Sequence, residues 1–312
     1  LPDVKATRLL LTILFTTGIS LHSGSLQAQQ SVSLWPEDEL PNSKGLSIQD
    51  SVKNDRIYLN KYPEMYSFHP AKEENSGAAV LIFPSGGYHH LTYDLGGFQL
   101  AKWFNTLGVH SFVVNYRLPL SPDLVKREIA PLQDAQRAMR LVRSMAEELG
   151  IDPDKIGVMG TSAGGHLAST IGTFHEDVSA FGDSLDQYSY RPDFMVMISP
   201  VITFGEYAHE GSRMNLLGEN PSPQLINKYS TELQVDKDTP PAFLGHAAND
   251  ESVHPMNSII FYEALLQHGN TASSLHIFPQ GGHSIGLVGN PGSTQMWSDL
   301  CEAWLKESGF IE

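Results

Sequence analysis

From about residue 78 the chain alternates short, almost continuously apolar runs with longer stretches whose apolar residues recur near the helical period. Few folds satisfy that rhythm. "AAVLIFP" (78–84), "SFVVNYRL" (111–118), "KIGVMG" (155–160), "FMVMISP" (194–200), "PAFLGHA" (241–247) and "SSLHIFP" (273–279) read as strands. Between them lie helical patterns: "FQLAKWFNTLG" closed by Gly108, "APLQDAQRAMRLVRSMAEELG" closed by Gly150, "AGGHLASTIGTF", and stretches near 255–268 and 293–306. Strands alternating with helices imply parallel βαβ units, and strands apolar at nearly every position imply burial on both faces. The expected fold is therefore α/β, a mostly parallel central sheet with helices on both faces. With 312 residues, 41% hydrophobic and 18% charged, the chain has enough apolar surface for one large domain over 29–312. The segment from about 180 to 240 breaks the rhythm with Pro, Asn and Asp. Ligands of open α/β sheets bind beyond the carboxyl ends of the strands, so this insertion is a candidate substrate cover.

Charge narrows the partners. The net charge is −15 and no run of Lys or Arg occurs, which argues against nucleic acid and anionic membrane surfaces. Lys5 and Arg8 precede the apolar run "LLLTILFTTGIS", and a polar stretch ending "LQAQQ" follows. That order reads as a secretory signal over 1–28, cut after Ala28, rather than a membrane anchor, because the run is short for a bilayer span of about 20 residues. The expectation is a secreted or periplasmic protein with no stable membrane span. Cys301 is the single cysteine, so no intrachain disulfide exists. With no positive charge among its neighbours, its thiol reads as structural.

The chemistry centres on "GTSAGG" (160–165), which directly follows the strand "KIGVMG" and opens a predicted helix. A Gly-x-Ser-x-Gly turn between strand and helix strains the serine backbone and lifts its hydroxyl above the sheet. Gly160 and Gly164 are needed there because a side chain at either would meet the adjoining strand or helix. A serine hydroxyl is a weak nucleophile and needs a base, itself oriented by a carboxylate, in the chain order Ser, Asp or Glu, His. "NDESVHP" after the strand at 241–247 offers Asp250, with Glu251 as the alternative acid; Asn249 cannot act as an anion. "QGGHS" after the strand at 273–279 offers His283. His89 and His90 come too early in the chain, while His166 and His246 sit on elements where packing is the expected role. The turn in "IFPSGGYHH" follows the first strong strand, where this fold places backbone N–H donors for an oxyanion. Gly86 and Gly87, with Ala163 after the serine, are the candidates, and Tyr88 is a candidate pocket residue. Neither a metal nor a cofactor is called for.

These segments resemble a known family. "IFPSGGYHHL", "PLQDAQRAMRLVR", "IGVMGTSAGGHLAS", "HAANDESVHPMNSIIFYEALLQHG" and "HIFPQGGHSIGL" are similar in order and spacing to secreted α/β-hydrolases. Within these the resemblance is to acetylxylan-esterase-like carbohydrate esterases, the xylanase-associated (BD-FAE-like) group related to hormone-sensitive-lipase-like enzymes. It runs from about residue 55 to the end. It implies the α/β-hydrolase fold, Ser162 as nucleophile, Asp250 as acid, His283 as base, and Gly86, Gly87 and Ala163 as oxyanion donors. It also implies an acetylated oligo- or polysaccharide such as xylan as substrate. The sequence departs from the family pattern at Ser85, where a third glycine is usual, and at Asn249, where an acidic residue often stands. A feruloyl or general short-chain esterase shares the same constellation, as does a serine peptidase of this fold. A non-catalytic binding protein on the scaffold would more often have lost one of the three residues.

Overall fold

The computed structural model describes residues 31–36 and 39–312; the expected signal segment, 1–28, lies outside the described residues. Four strands precede the alternating region: β1 (Ser31–Ser33), β2 (Ser51–Lys53), β3 (Arg56–Leu59) and β4 (Glu64–Phe68). The expected strands follow as β5 (Ala79–Phe83), β6 (His110–Asn115), β7 (Ile156–Thr161), β8 (Met195–Ile198), β9 (Ala242–Ala247) and β10 (Ser274–Phe278). An eight-stranded sheet runs β1-β4-β6-β5-β7-β8-β9-β10, and β2 and β3 form a separate antiparallel hairpin. Every pairing from β6 through β10 is parallel, whereas β4 runs antiparallel to both β6 and β1.

Side chains alternate across the sheet and build a core on each face. Along β5, Ala79, Leu81 and Phe83 enter one core, while Val80 and Ile82 enter the other. All five are fully buried, and burial of each large side chain stabilises the fold by about 1.5–3 kcal/mol. Two-sided burial is why the strand reads as continuously apolar.

The helices are α1 (Gln99–Thr106), α2 (Ala130–Ser144), α3 (Ala146–Leu149), α4 (Ala163–Thr173), α5 (Glu210–Leu217), α6 (Pro223–Tyr229), α7 (Met256–Gln267) and α8 (Trp297–Glu307). The apolar stripes of α2, α4 and α7 fill the first core, and α1 and α8 fill the second. The single long helix expected up to Gly150 is interrupted at Met145, so α3 is a separate turn; Gly150 ends it in the left-handed region at φ 66°. Three arginines of α2 at three-residue spacing anchor the link between α4 and β8. Arg137 pairs with Asp183, Arg140 with Asp177 and Asp186, and Arg143 with Asp193.

Two features of this frame position the site. The chain leaves β5 for β6 on one side and comes back to β7 on the other, so strand order reverses between β5 and β7. Ligand sites of open α/β sheets form at such a reversal. Within the 180–240 segment, β8 belongs to the sheet, and the part that leaves it lies between β8 and β9 and carries α5 and α6. Asn257 ties that part to α7: its Oδ1 accepts from the N–H groups of Ile202 and Thr203, and its Nδ2 donates to the Tyr207 carbonyl. Among the described residues no helix is long and apolar enough to cross a membrane.

Candidate active site

Ser162 stands between β7 and α4 with φ 54° and ψ −122°. An L-residue holds such a conformation only where its surroundings over-determine it. Here they do. The Ser162 N–H donates to the Ile198 carbonyl, and the Ser162 carbonyl accepts from Val201 and His166. A Cβ on Gly160 would lie 2.1 Å from the Gly164 oxygen, and one on Gly164 would lie 2.0 Å from the Phe83 oxygen. The turn is as tight as two glycines permit.

The hydroxyl raised by this turn meets a histidine. His283 Nε2 lies 2.9 Å from Ser162 Oγ, and His283 Nδ1 lies 2.7 Å from Asp250 Oδ2. The histidine follows β10, the aspartate follows β9 and the serine follows β7, so the ends of three strands of one sheet bring one hydrogen-bonded chain together. Asp250 is fully buried at its side chain. Burial by itself would raise its pKa. Hydrogen bonds from His246, His283 and the Val253 N–H outweigh burial and hold the carboxyl well below the usual carboxylate range. Its second oxygen accepts from the N–H groups of Ser252 and Val253, each at 2.9 Å. Glu251 is exposed and makes no such contact with His283. Such a chain can take a proton from the serine and stabilise the imidazolium that results.

Next to the serine lies the turn after β5. Gly86 has φ 135° and Gly87 φ 63°, and a Cβ on Gly86 would fall 1.9 Å from the His90 oxygen. The N–H groups of Gly86, Gly87 and Ala163 donate to no acceptor among the described residues, which leaves three uncommitted donors on the turns after β5 and β7. Ser85, at the position where a third glycine is usual, turns its hydroxyl to Thr92 Oγ1 at 2.7 Å and braces the loop. Asn249 accepts the Gly282 N–H at 2.9 Å, so the residue before the buried acid holds the loop that carries His283.

Tyr88 is the one candidate the structure does not bring to the cleft. It is 1% exposed, with φ 59°, and its hydroxyl lies 2.8 Å from His166 Nδ1. The left-handed turn swings the ring into the core, so packing replaces the expected pocket role. His166 completes that buried relay by donating from Nε2 to the Tyr229 carbonyl at 2.8 Å. Cys301 is likewise buried, and burial pushes its thiol pKa up.

Sequence reasoning missed two residues of the insertion. Asn215 on α5 donates to the Gly87 carbonyl at 2.8 Å and fixes the donor turn from above. His209, which caps α5, accepts the Ser212 N–H at Nδ1, so the neutral ring carries its proton on Nε2. Burial first, and the neighbouring His283 second, lower its pKa. Only a tertiary approach brings these residues to the turn, and nothing in their local spacing announces it. Among the described residues no group of three or more His, Cys, Asp and Glu is arranged to hold a metal ion.

With this geometry in view, comparison with known proteins is decisive on ancestry. The BD-FAE family model matches residues 67–265, well over half of the chain. The chain belongs to the BD-FAE family. It is 34% identical over 280 residues to an acetylxylan esterase of Xylanibacter ruminicola, covering 88% of this chain and 50% of that protein. It is 33% identical over 221 residues to endo-1,4-beta-xylanase B of Butyrivibrio fibrisolvens, covering 70% of this chain and 34% of that one. The chain thus spans half or less of the length of these relatives. Among solved structures it resembles an acetyl ester-xyloside bifunctional hydrolase from Caldicellulosiruptor lactoaceticus: 38% identity, TM-score 0.78, 93% of this chain and 100% of that one. A thermophilic esterase from Thermogutta terrifontis superposes with a TM-score of 0.66 at 26% identity over 87% of this chain and 94% of that one. The mostly parallel sheet of this BD-FAE member is thus the α/β-hydrolase fold of esterases.

Proposed function

We propose that this protein is a serine carboxylesterase that removes acetyl groups from xylan or a related plant polysaccharide. The observation that carries the reading is the unbroken chain from Ser162 Oγ through His283 to Asp250, beside three unpaired backbone donors. Ser162 attacks the ester carbonyl as His283 Nε2 takes its proton. The N–H groups of Gly86, Gly87 and Ala163 receive the oxyanion; in a water-excluded site one such donor is worth about 3–4 kcal/mol of barrier. His283 returns the proton to the departing sugar alcohol, leaving acetyl on Ser162. Water, deprotonated by the same histidine, then releases acetate. Asp250 stays ionised throughout and holds the imidazole in the reactive tautomer.

The acyl group and the sugar rest on the relatives, one an acetylxylan esterase and another a xylanase. Export by the segment at 1–28 belongs to the same proposal, because a polymer is met outside the cell. Acetate release from acetylated xylan, measured beside a feruloylated substrate and a peptide, tests the substrate. Preference for either of the other two would replace the acetyl assignment. Labelling by a fluorophosphonate probe tests the nucleophile: it is expected in the parent chain and absent in Ser162→Ala.

A further inference from the structure

A second cleft, of about 200 Å³, opens on the same edge of the sheet. Its base lies where β4 pairs with β6, with Glu64 opposite Asn115, the last residue of β6. One strand over, β5 ends at the turn that carries Gly86 and Gly87. Strands lie about 4.8 Å apart, so the cleft is roughly 10–14 Å from the end of β7 that carries Ser162. Tyr93 and Phe98, in the continuation of that turn, line it together with Tyr62 and Tyr66. Ile57 in its wall exchanges backbone hydrogen bonds with Leu91, which ties the cleft to the donor turn.

The polar lining holds donors as well as acceptors, among them the hydroxyls of Tyr62 and Tyr93. The Oδ1 atoms of Asn60 and Asn115 are buried with no hydrogen-bond partner among the described residues, on side chains only 4% and 2% exposed. Buried acceptors left unpaired are rare in folded proteins. The Asn60 amide is fixed in orientation, because its Nδ2 donates to the carbonyls of Asn115 and Tyr116 at 2.9 and 3.1 Å. Glu64 and Asp50 add carboxylate acceptors, and one Glu64 oxygen already takes the Tyr66 hydroxyl at 2.6 Å. An occupant that suits this lining brings groups that both donate and accept, such as hydroxyls, together with a flat apolar face.

We infer that this cleft is a sugar subsite, which takes one neutral sugar ring of the polysaccharide a short distance along the chain from the acetyl group being cleaved. Hydroxyl groups of the ring donate to the carboxylates of Glu64 and Asp50 and accept from the hydroxyls of Tyr62 and Tyr93, and its C–H face lies against the aromatic wall. The volume is below the roughly 300–1,000 Å³ of drug-sized sites and suits a single ring. Alkylammonium ions also favour aromatic walls and acceptors. Here, however, the Lys61 ammonium already stands 5.3 Å from the Tyr62 ring centre, held by the Leu46 carbonyl at 2.8 Å. A cation placed at the mouth favours a neutral donor over a second cation. The choice of sugar rests on the esterase reading above; the existence of the subsite does not.

The test is calorimetric titration of unacetylated xylotriose into the full chain carrying Ser162→Ala. Saturable binding is expected, weakened at least tenfold by Tyr62→Ala and by Val52→Trp, which fills the cleft from an exposed position in its wall. Circular dichroism checks that each variant is folded. No binding, or an affinity unchanged by both substitutions, overturns the subsite. Tighter binding of tetramethylammonium than of xylotriose overturns the sugar assignment in favour of a cation site. Fluorophosphonate labelling of the parent chain separates the two readings: a labelled protein that ignores xylotriose loses the subsite alone, and an unlabelled protein that binds it loses the esterase alone.

Discussion

Nε2 of His246 lies 3.2 Å from Oδ2 of Asp250, the same oxygen that accepts the bond from His283. His246 is wholly buried on β9, with Nδ1 2.8 Å from Ser258 Oγ and Nε2 2.9 Å from the Val253 carbonyl. With the Ser258 hydroxyl donating into Nδ1, the ring shares its Nε2 proton between that carbonyl and the carboxylate. The second histidine thus helps to hold the carboxylate ionised and turned toward His283. Hydrogen bonds to charged groups contribute about 1.5–3 kcal/mol, and a shared bond falls at the lower end. His246→Leu is expected to lower kcat on p-nitrophenyl acetate about tenfold with little change in KM, and His246→Gln, whose amide can donate, is expected to recover part of the loss. Unchanged turnover in a folded His246→Leu protein would remove His246 from the site.

Asp250→Asn keeps the shape and reverses the hydrogen-bond logic. An amide can donate to His283 Nδ1, which favours the tautomer with a proton on Nε2, where the base must be unprotonated. The expected loss in kcat is about 10⁴-fold, the scale seen when a triad aspartate becomes an amide. Steady-state kinetics give the answer directly, since a loss of tenfold or less would mean that another carboxylate orients the base.

The donor turn is tested at Gly86. A methyl group there would sit 1.9 Å from the His90 oxygen on a backbone at φ 135°, so Gly86→Ala must move the turn. Displacing one oxyanion donor costs about 10²–10³-fold in kcat. Fluorophosphonate labelling is expected to slow while still occurring, because Ser162 and His283 are untouched. Full esterase activity in this variant would place the oxyanion elsewhere.

The parts of the molecule that sequence reveals are those where one local pattern decides the outcome. Strands β5 to β9 are buried on both faces and therefore read as apolar runs. Strands β1 to β4 escape notice because they are short and incompletely buried, β1 at the edge of the sheet and β2 and β3 in the small hairpin; on β4, inside β1, only Met65 and Phe68 are buried. The chain order of Ser162, Asp250 and His283 is visible because each follows a recognisable strand. Tyr88 misleads for the opposite reason. Adjacency to Gly87 places it near the donor turn, but the φ of 59° that sends its ring into the core is a backbone property its residue type does not advertise. Asn215 and Asn60 depend on contacts across 128 and 55 residues of chain, and no window of sequence contains both partners.

His166 gives a stability prediction in which the sign can be worked through. It is fully buried between the Tyr88 hydroxyl and the Tyr229 carbonyl and stacks on Phe204 at 4.6 Å. Burial lowers its pKa from 6.5 to about 4, against a smaller opposing effect of the bond to Tyr229. Above pH 6.5 the ring is neutral in the folded and the unfolded chain and contributes no slope. As pH falls from 6.5 toward 4, the unfolded chain takes up the proton and the folded chain does not, so stability falls. The total is about 3 kcal/mol, because each tenfold difference in proton affinity between the two states is worth about 1.4 kcal/mol. Below pH 4 both states carry the proton and this loss levels off. Asp250 acts in a lower window: its carboxyl is depressed, so its stabilisation is present above the ordinary carboxylate value and is lost as pH falls below it. His166→Gln can accept from Tyr88 and donate to Tyr229 without titrating. Urea unfolding at several pH values between 7 and 4.5 should therefore show a shallower slope for the variant than for the parent. His110, also lowered to about 4, remains in both proteins, so the difference between the curves reports His166. Parallel curves would mean that the folded chain protonates this ring as readily as the unfolded one.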